Sequence, residues 1–268
     1  MIVKTANLVI RSFLAPTCAA CEALLAAPLR GPVCDACWRA VPRLTPPCCV
    51  RCGDALPSRS AGPACPRCRR HPPVFTLARS AGCYDGSLRR IIHAFKYDGR
   101  RVLAGPLAAL MRDAGGSLLD GADAVVPVPL HPRRALQRGF NQADDLARAL
   151  GLPVWRVLGR TRHGPPQAGL PAARRHANVR AAYALRGAWA APVVEALHVP
   201  SLLRRRLRNR VVVLVDDVMT TGATIDACGR VLADAGVRSV RALTVARAVA
   251  RRPTPPPPPR RQDSVRRR

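Results

Sequence analysis

The feature that most constrains this chain is a repeated spacing of cysteines. "CAACEALLAAPLRGPVCDAC" sets Cys18, Cys21, Cys34 and Cys37 in a C-x2-C-x12-C-x2-C pattern, and "CVRCGDALPSRSAGPACPRC" sets Cys49, Cys52, Cys65 and Cys68 in the same one. A C-x2-C pair lets one turn of chain aim two thiolates at an ion, and a second pair completes a tetrahedron. The pattern predicts two structural Zn2+ ions, and four thiolates on each leave no coordination position for water. Spacing alone leaves the grouping open, with either neighbouring or alternating pairs sharing an ion. Four disulfides in an exported protein are the competing reading. Zinc is preferred because no targeting segment is visible and the rest of the chain reads as a cytosolic α/β domain. The segment also needs a staple, because up to about Cys68 it is rich in Pro, Gly and Arg and poor in large apolar residues. Cys48, Cys83 and Cys228 stand outside the pattern, and Cys228 reads as a packed residue on the buried side of a helix.

A second constraint is "VVVLVDDVMTTGAT", Val211 to Thr224. Val211 to Val215 form an unbroken aliphatic run, which suits a strand covered on both faces. The chain is then expected to turn through Asp216 and Asp217 and enter a helix with Ile225, Ala227, Cys228, Val231 and Leu232 on its apolar side. Thr221, Gly222, Ala223 and Thr224 at that helix start offer free N–H groups, hydroxyl donors and the positive end of a helix dipole, the parts of a phosphate cradle. Two carboxylates just before it suit sugar hydroxyls or a hydrated divalent metal. A surface αβ unit with an acidic loop and a threonine-rich cap would give the same pattern without a ligand. A nucleoside triphosphatase loop is a poor alternative, since it needs a Lys before its Ser or Thr.

Between these landmarks, Leu88, Ile91, Ile92 and Phe95 mark a helical face ended by the Asp98-Gly99 turn, and a second helix is predicted from about Leu103 to Met111. A short strand is predicted over Ala124 to Val128. The loop after it holds Pro127, Pro129 and Pro132, which forbid a long helix, with Arg133, Arg134 and Arg138 close by. Guanidinium groups there would suit pyrophosphate, although a solvated basic turn would look alike. Asn141 is a candidate cap for a helix running through Leu150.

A chain of 268 residues with 48% hydrophobic residues accommodates one ordinary domain plus a small accessory one. Aromatics make up only 4%, so the cores must be built from Leu, Val and Ala. No apolar run is long enough to span a membrane, and the chain is read as cytoplasmic. The net charge of +28, with basic clusters at Arg204 to Arg210 and Arg266 to Arg268, would attract a polyanion. Only Lys4 and Lys96 are lysines, so coding bias toward Arg competes with a binding face as the cause. No recognition helix or aromatic stacking set supports sequence reading.

Val213 to Thr224 resembles the ribose-phosphate motif of the type I phosphoribosyltransferases. More widely, the cysteine pairs, "FKYDGR" around Lys96, "PVPLHPRR…QRGFNQ", "QAGLPAARRHANVRAAY" and the Asp-Asp motif, in that order from Cys18 to about Ala246, resemble the bacterial ComF family. The resemblance implies an α/β fold: a parallel-sheet, type I phosphoribosyltransferase-like domain over 79–250, behind a double zinc module over 1–78 and before a Pro/Arg-rich tail over 251–268. It implies phosphoribosyl pyrophosphate with Mg2+ as ligand, Asp216 and Asp217 on the ribose diol, and Thr220, Thr221, Gly222, Ala223 and Thr224 on the 5′-phosphate. Leu130, His131, Arg133 and Arg134 would form the pyrophosphate loop. Gln167, Arg175 and Asn178 would belong to a flap that excludes water from an oxocarbenium-like centre, with Ala168 where the family more commonly has Thr. None of His93, His131, His163 and His176 sits in a motif that demands acid-base chemistry. The resemblance admits two functions: transfer of the phosphoribosyl group to a nucleobase or related nitrogen acceptor, or a nonenzymatic competence adaptor with a regulatory ligand site. It also implies competence proteins and single- or double-stranded DNA as partners.

Overall fold

The computed structural model describes residues 6–7, 10, 12, 14–58, 62–160, 182–186 and 199–248. The cysteine-rich segment carries two short helices, α1 (Asp35–Arg39) and α2 (Pro66–Arg70), which start directly after Cys34 and Cys65. Then follow β1 (Leu77–Cys83), α3 (Gly86–Tyr97), α4 (Ala104–Leu119), β2 (Ala124–Pro127), α5 (Pro132–Arg138) and α6 (Gln142–Ala149). The strands β3 (Leu158–Arg160) and β4 (Tyr183–Leu185) come next, before α7 (Val199–Leu207), β5 (Val211–Met219), α8 (Ala223–Asp234) and β6 (Ser239–Arg247). Among the described residues no helix is long and apolar enough to cross a membrane.

Local chemistry sets the helix starts. The Asp85 carboxylate accepts from Gly86 N at 2.8 Å to begin α3, and the Asn141 side chain accepts from Ala143 N at 3.1 Å to begin α6. Pro132 opens α5, where a missing N–H costs nothing, so the proline-rich loop contains a short helix rather than remaining fully extended.

β1, β6, β5 and β2 form, in that order, a parallel four-stranded sheet. Residues 153–155 run beside β2, with Val125 N donating to Pro153 O and Trp155 N to Val125 O, each at 2.9 Å. The aliphatic run of β5 is fully buried, as a strand covered on both faces requires. Val212 and Leu214 pack with Ile225, Cys228 and Leu232 of α8, whereas Val213 and Val215 pack with Ile92, Leu107 and Leu146 of α3, α4 and α6. β3 and β4 form a separate antiparallel pair.

The sequence pattern ends this strand at Val215, but the structure continues it. Asp216 pairs with Thr244, Val218 with Ala246 and Met219 with Arg247, so both aspartates lie on the strand and the turn begins at Thr220. β6 supplies the pairing that outweighs the weak strand preference of the carboxylates. β5 therefore runs four residues past Val215, which pairs with the last residue of β2, Pro127.

The cysteine-rich segment wraps around the outer edge of β1. Ala78 N donates to Arg51 O at 2.6 Å and Cys83 N to Pro42 O at 2.8 Å, satisfying groups that an open edge would leave unpaired. Gly82 permits that approach: a Cβ there would stand 2.6 Å from Pro42 O. Cys18 and Cys37 join the core on the α3 and α4 face, while Cys49, Cys52, Cys65 and Cys68 join the core on the α8 face.

Candidate functional site

The connections after β2 and β5 leave the sheet in opposite directions, α6 packing on one face and α8 on the other. Such a switch point opens a crevice at the carboxyl ends of the strands, where ligands of open α/β sheets bind. A cavity of about 340 Å³ lies there. Asp216, Asp217, Thr220 and Thr224 form one wall, and Leu130, Arg134 and Arg138 form another. Lys96 and Tyr97 enter from the end of α3, and Arg160 and Tyr183 from β3 and β4.

The two aspartates have different surroundings. The Lys96 ammonium is 2.9 Å from an Asp217 carboxylate oxygen, and both side chains are largely buried. Burial, followed by the charge of Asp217, pushes the Asp216 carboxyl up to about 7, against the Asp217 N–H that donates to it at 2.8 Å and the more distant Lys96. Near neutrality the Asp216 carboxyl therefore titrates. Burial likewise pushes the Tyr183 hydroxyl up to about 12, keeping it a neutral hydrogen-bonding group beside Thr224.

The cationic wall is held in shape before any ligand arrives. Arg138 lies over the Tyr97 ring at 4.7 Å, donates to the Tyr97 hydroxyl at 3.0 Å and to the Gln142 side chain at 3.1 Å. Across the cavity, Gly222 has φ 79°, the left-handed conformation that lets the chain turn from Thr221 into α8. A helix start in this position directs unpaired N–H groups at an anion.

Of the residues singled out from sequence, Asp216, Asp217, Thr220, Thr224, Leu130 and Arg134 line the cavity. Thr221, Gly222 and Ala223 form the turn behind it; the Thr221 hydroxyl accepts from Ala223 N at 3.4 Å. His131 precedes α5 and is not among the lining residues. The Arg133 side chain lies outside the described residues, as do the flap residues Gln167, Arg175 and Asn178. Arg138, one of the guanidinium groups read from sequence as suited to pyrophosphate, also lines the cavity, whereas Lys96, Arg160 and Tyr183 are lining residues that motif reading does not assign. For Lys96 the available signal is that an Arg-dominated chain keeps a lysine within "FKYDGR".

Each cysteine quartet consists of neighbouring pairs, which settles the grouping. In each of Cys18, Cys21, Cys34, Cys37 and Cys49, Cys52, Cys65, Cys68, the sulfurs all lie within 4.8 Å of one another. Zn–S bonds of about 2.3 Å require tetrahedral edges of about 3.8 Å. The sulfur pairs Cys18–Cys37, Cys21–Cys34 and Cys52–Cys65 stand 3.9, 3.8 and 3.7 Å apart, fitting a shared ion and far exceeding a disulfide. Ala20 N and Cys34 N donate to Cys18 Sγ at 3.4 and 3.3 Å, and Cys65 N donates to Cys49 Sγ at 3.3 Å. Burial pushes the Cys18 thiol up, but these N–H groups outweigh it and bring it down to about 6. The same opposition brings Cys49 to about 7. Such donors stabilise thiolate, the form a metal takes.

Comparison with known proteins matches both halves. Residues 9–72 match the double zinc ribbon domain and residues 135–265 the phosphoribosyl transferase domain. Competence protein F of Haemophilus influenzae is 32% identical over 177 residues, which are 62% of this chain and 71% of that protein. The chain belongs to the ComF family. Another relative, the DNA utilization protein YhgH of Salmonella typhimurium, is 32% identical over 184 residues, covering 63% of this chain and 71% of that one. Among solved structures, the allosteric regulatory enzyme of purine biosynthesis aligns with TM-score 0.35 and 20% identity, over 63% of this chain and 31% of that chain. A likeness at that score has no bearing on function. The family assignment joins the two halves in one protein: a zinc-ribbon segment and a phosphoribosyltransferase-like α/β domain.

Proposed function

We propose that this ComF-family chain is a cytosolic accessory protein of DNA uptake and utilization whose α/β domain binds phosphoribosyl pyrophosphate as a regulatory ligand. One observation carries this reading: a single cavity opposes the Asp216 and Asp217 carboxylates to Lys96, Arg134, Arg138 and Arg160, beside the start of α8. Carboxylates accept from a ribose diol, the helix start takes the 5′-phosphate, and the guanidinium wall takes pyrophosphate. Mg2+ would enter on the ligand's own oxygens and neutralise the charge of the pyrophosphate. The relatives named for competence and DNA utilization support the cellular setting, and the exposed arginines of α7 support attraction to DNA.

A second reading is transfer of the phosphoribosyl group to a nitrogen acceptor, with release of pyrophosphate. It is favoured by Arg160 and Tyr183, which bring β3 and β4 to the cavity at either end of the segment that resembles a flap. Both readings require the ligand, so calorimetry with phosphoribosyl pyrophosphate and Mg2+ comes first. Absence of binding overturns both. Pyrophosphate release across a panel of nucleobases separates them: release above the rate in base-free controls selects transfer, and none selects the adaptor.

A further inference from the structure

The second cysteine quartet reaches past its own metal position to the turn that precedes α8. Arg67, between Cys65 and Cys68 in α2, donates through Nη1 to Thr221 O, and its Nη2 is 3.7 Å from the position a Cβ on Gly222 would occupy. Farther along the same segment, Val74 N donates to an Asp226 carboxylate oxygen at 2.8 Å in the first turn of α8. The chain before the turn is held as well. Arg247, 1% exposed, donates to Asp54 at 3.0 Å and to Cys52 O at 2.9 Å, and its Nη2 is 3.6 Å from Cys52 Sγ. Its backbone pairs with Met219, and Ala248 N donates to Met219 O at 3.0 Å. Thr220 to Gly222 are thus clasped on both sides by groups tied to one quartet.

We propose that Arg67 is a positioning residue of the phosphate loop, supplied by the zinc-ribbon segment. The inference rests on the reading of Thr220 to Thr224 as a phosphate cradle. N–H groups converge on an anion only when the intervening carbonyls point away from it, and a carbonyl turned outward needs a partner. Arg67 is that partner for Thr221. Fixing the turn in its binding conformation raises the fraction of molecules competent to bind and improves apparent affinity by the same factor. The quartet then acts on the ligand site without touching the ligand.

The test uses full-length protein carrying Arg67→Ala or Arg67→Lys. Zinc content, affinity for ribose 5-phosphate, affinity for pyrophosphate and backbone hydrogen exchange over 220–224 are measured for each. Ribose 5-phosphate probes the turn, and pyrophosphate probes the opposite wall. Arg67→Ala should keep its zinc, lose roughly five- to tenfold in ribose 5-phosphate affinity, the scale of one hydrogen bond's net contribution, and leave pyrophosphate affinity unchanged. Exchange over 220–224 should accelerate, and Arg67→Lys should recover part of both effects. Unchanged exchange in zinc-replete Arg67→Ala overturns the proposal. Equal loss for ribose 5-phosphate and pyrophosphate also overturns it, because that would be general destabilisation. Wild-type protein that ignores ribose 5-phosphate would sink the ligand reading alone, and the exchange measurement would still decide whether Arg67 orders the turn.

Discussion

The two cysteine quartets have identical spacing and different surroundings. In the first, Cys21 is exposed and Cys34 half-buried; in the second, all four cysteines are buried. The first packs with α1 against α3, the helix that delivers Lys96 to Asp217. The second meets the turn before α8 directly through Arg67. One quartet therefore backs the cavity through a helix, and the other holds its loop. Repetition in sequence fixes the metal chemistry, while the face of the sheet on which each copy lands fixes what that metal supports.

The largest expected effect comes from breaking the second quartet. Cys65→Ser should leave one zinc per chain, lower the melting temperature and abolish measurable ligand binding, because it frees the clasp on Thr220 to Gly222 and uncouples buried Arg247 from Cys52. Cys21→Ser should also lose one zinc but melt closer to wild type, since its sulfur is already exposed. A chelator should remove zinc in two phases, with the Cys18 quartet emptying first. Metal analysis paired with melting curves checks this, and equal losses from the two substitutions would erase the distinction between the quartets.

Next comes the strand between the two faces. Asp216→Asn with Asp217→Asn keeps side-chain size and removes both charges, so charge-assisted bonds to a diol become neutral ones. Each single change should weaken phosphoribosyl pyrophosphate binding at least about tenfold, the equivalent of about 1.4 kcal/mol. The double variant should bind weakest, although adjacent residues in one site need not add. Calorimetry on variants that keep both zinc ions decides this, and unchanged affinity would remove the diol assignment while leaving the contrast between the quartets intact.

What was legible in the sequence was local. A C-x2-C pair, an aliphatic run and a Thr-Gly turn each announce themselves within a few residues, while the parallel sheet is what the family resemblance implies. Lys96 needs a contact with Asp217 across the chain, and Arg67 needs one with Thr221; neither residue type nor spacing reveals such pairs. The aspartates look like a loop because charge ends an apolar run, yet β6 carries their pairing onward to Met219. Likewise, the cysteine-rich segment reads as a separate module, whereas its backbone completes the edge of β1 and its cysteines enter both cores.

A smaller effect follows from the raised carboxyl of Asp216. A group whose folded value lies above its usual value of 3.8 gives stability that is complete below that value and lost as pH rises through about 7. Wild-type protein should therefore lose stability from this group between about pH 4 and 7, and Asp216→Asn should not. At pH 8 the variant should melt above wild type, with a smaller gain at pH 5. Melting curves at the two pH values check the sign. A variant less stable than wild type at pH 8 would mean that the buried charge is fully compensated by Lys96, and hence that the α3 face holds the cavity more firmly than the loop face does.

The smallest effect is expected at the surface, on the face shared with the second quartet. Leu203 and Leu207 anchor α7 to that core while Arg204, Arg205 and Arg206 face solvent, followed by Arg208. Arg204 donates to Asp234 O at 2.9 Å and Arg206 lies over Trp155 at 4.5 Å, whereas Arg205 and Arg208 have no such partner among the described residues. Within this described cluster, those two are the arginines available to phosphodiester groups. Replacing both with Ala should weaken DNA binding a few-fold at low salt, reduce the slope of log affinity against log salt by about 1 to 2, and act alike on unrelated sequences. Phosphoribosyl pyrophosphate affinity should not move, because neither residue lines the cavity. If the substitutions leave the slope unchanged while Cys21→Ser lowers it, the DNA-binding surface lies on the first quartet's side, and the assignment of the two faces must be reversed.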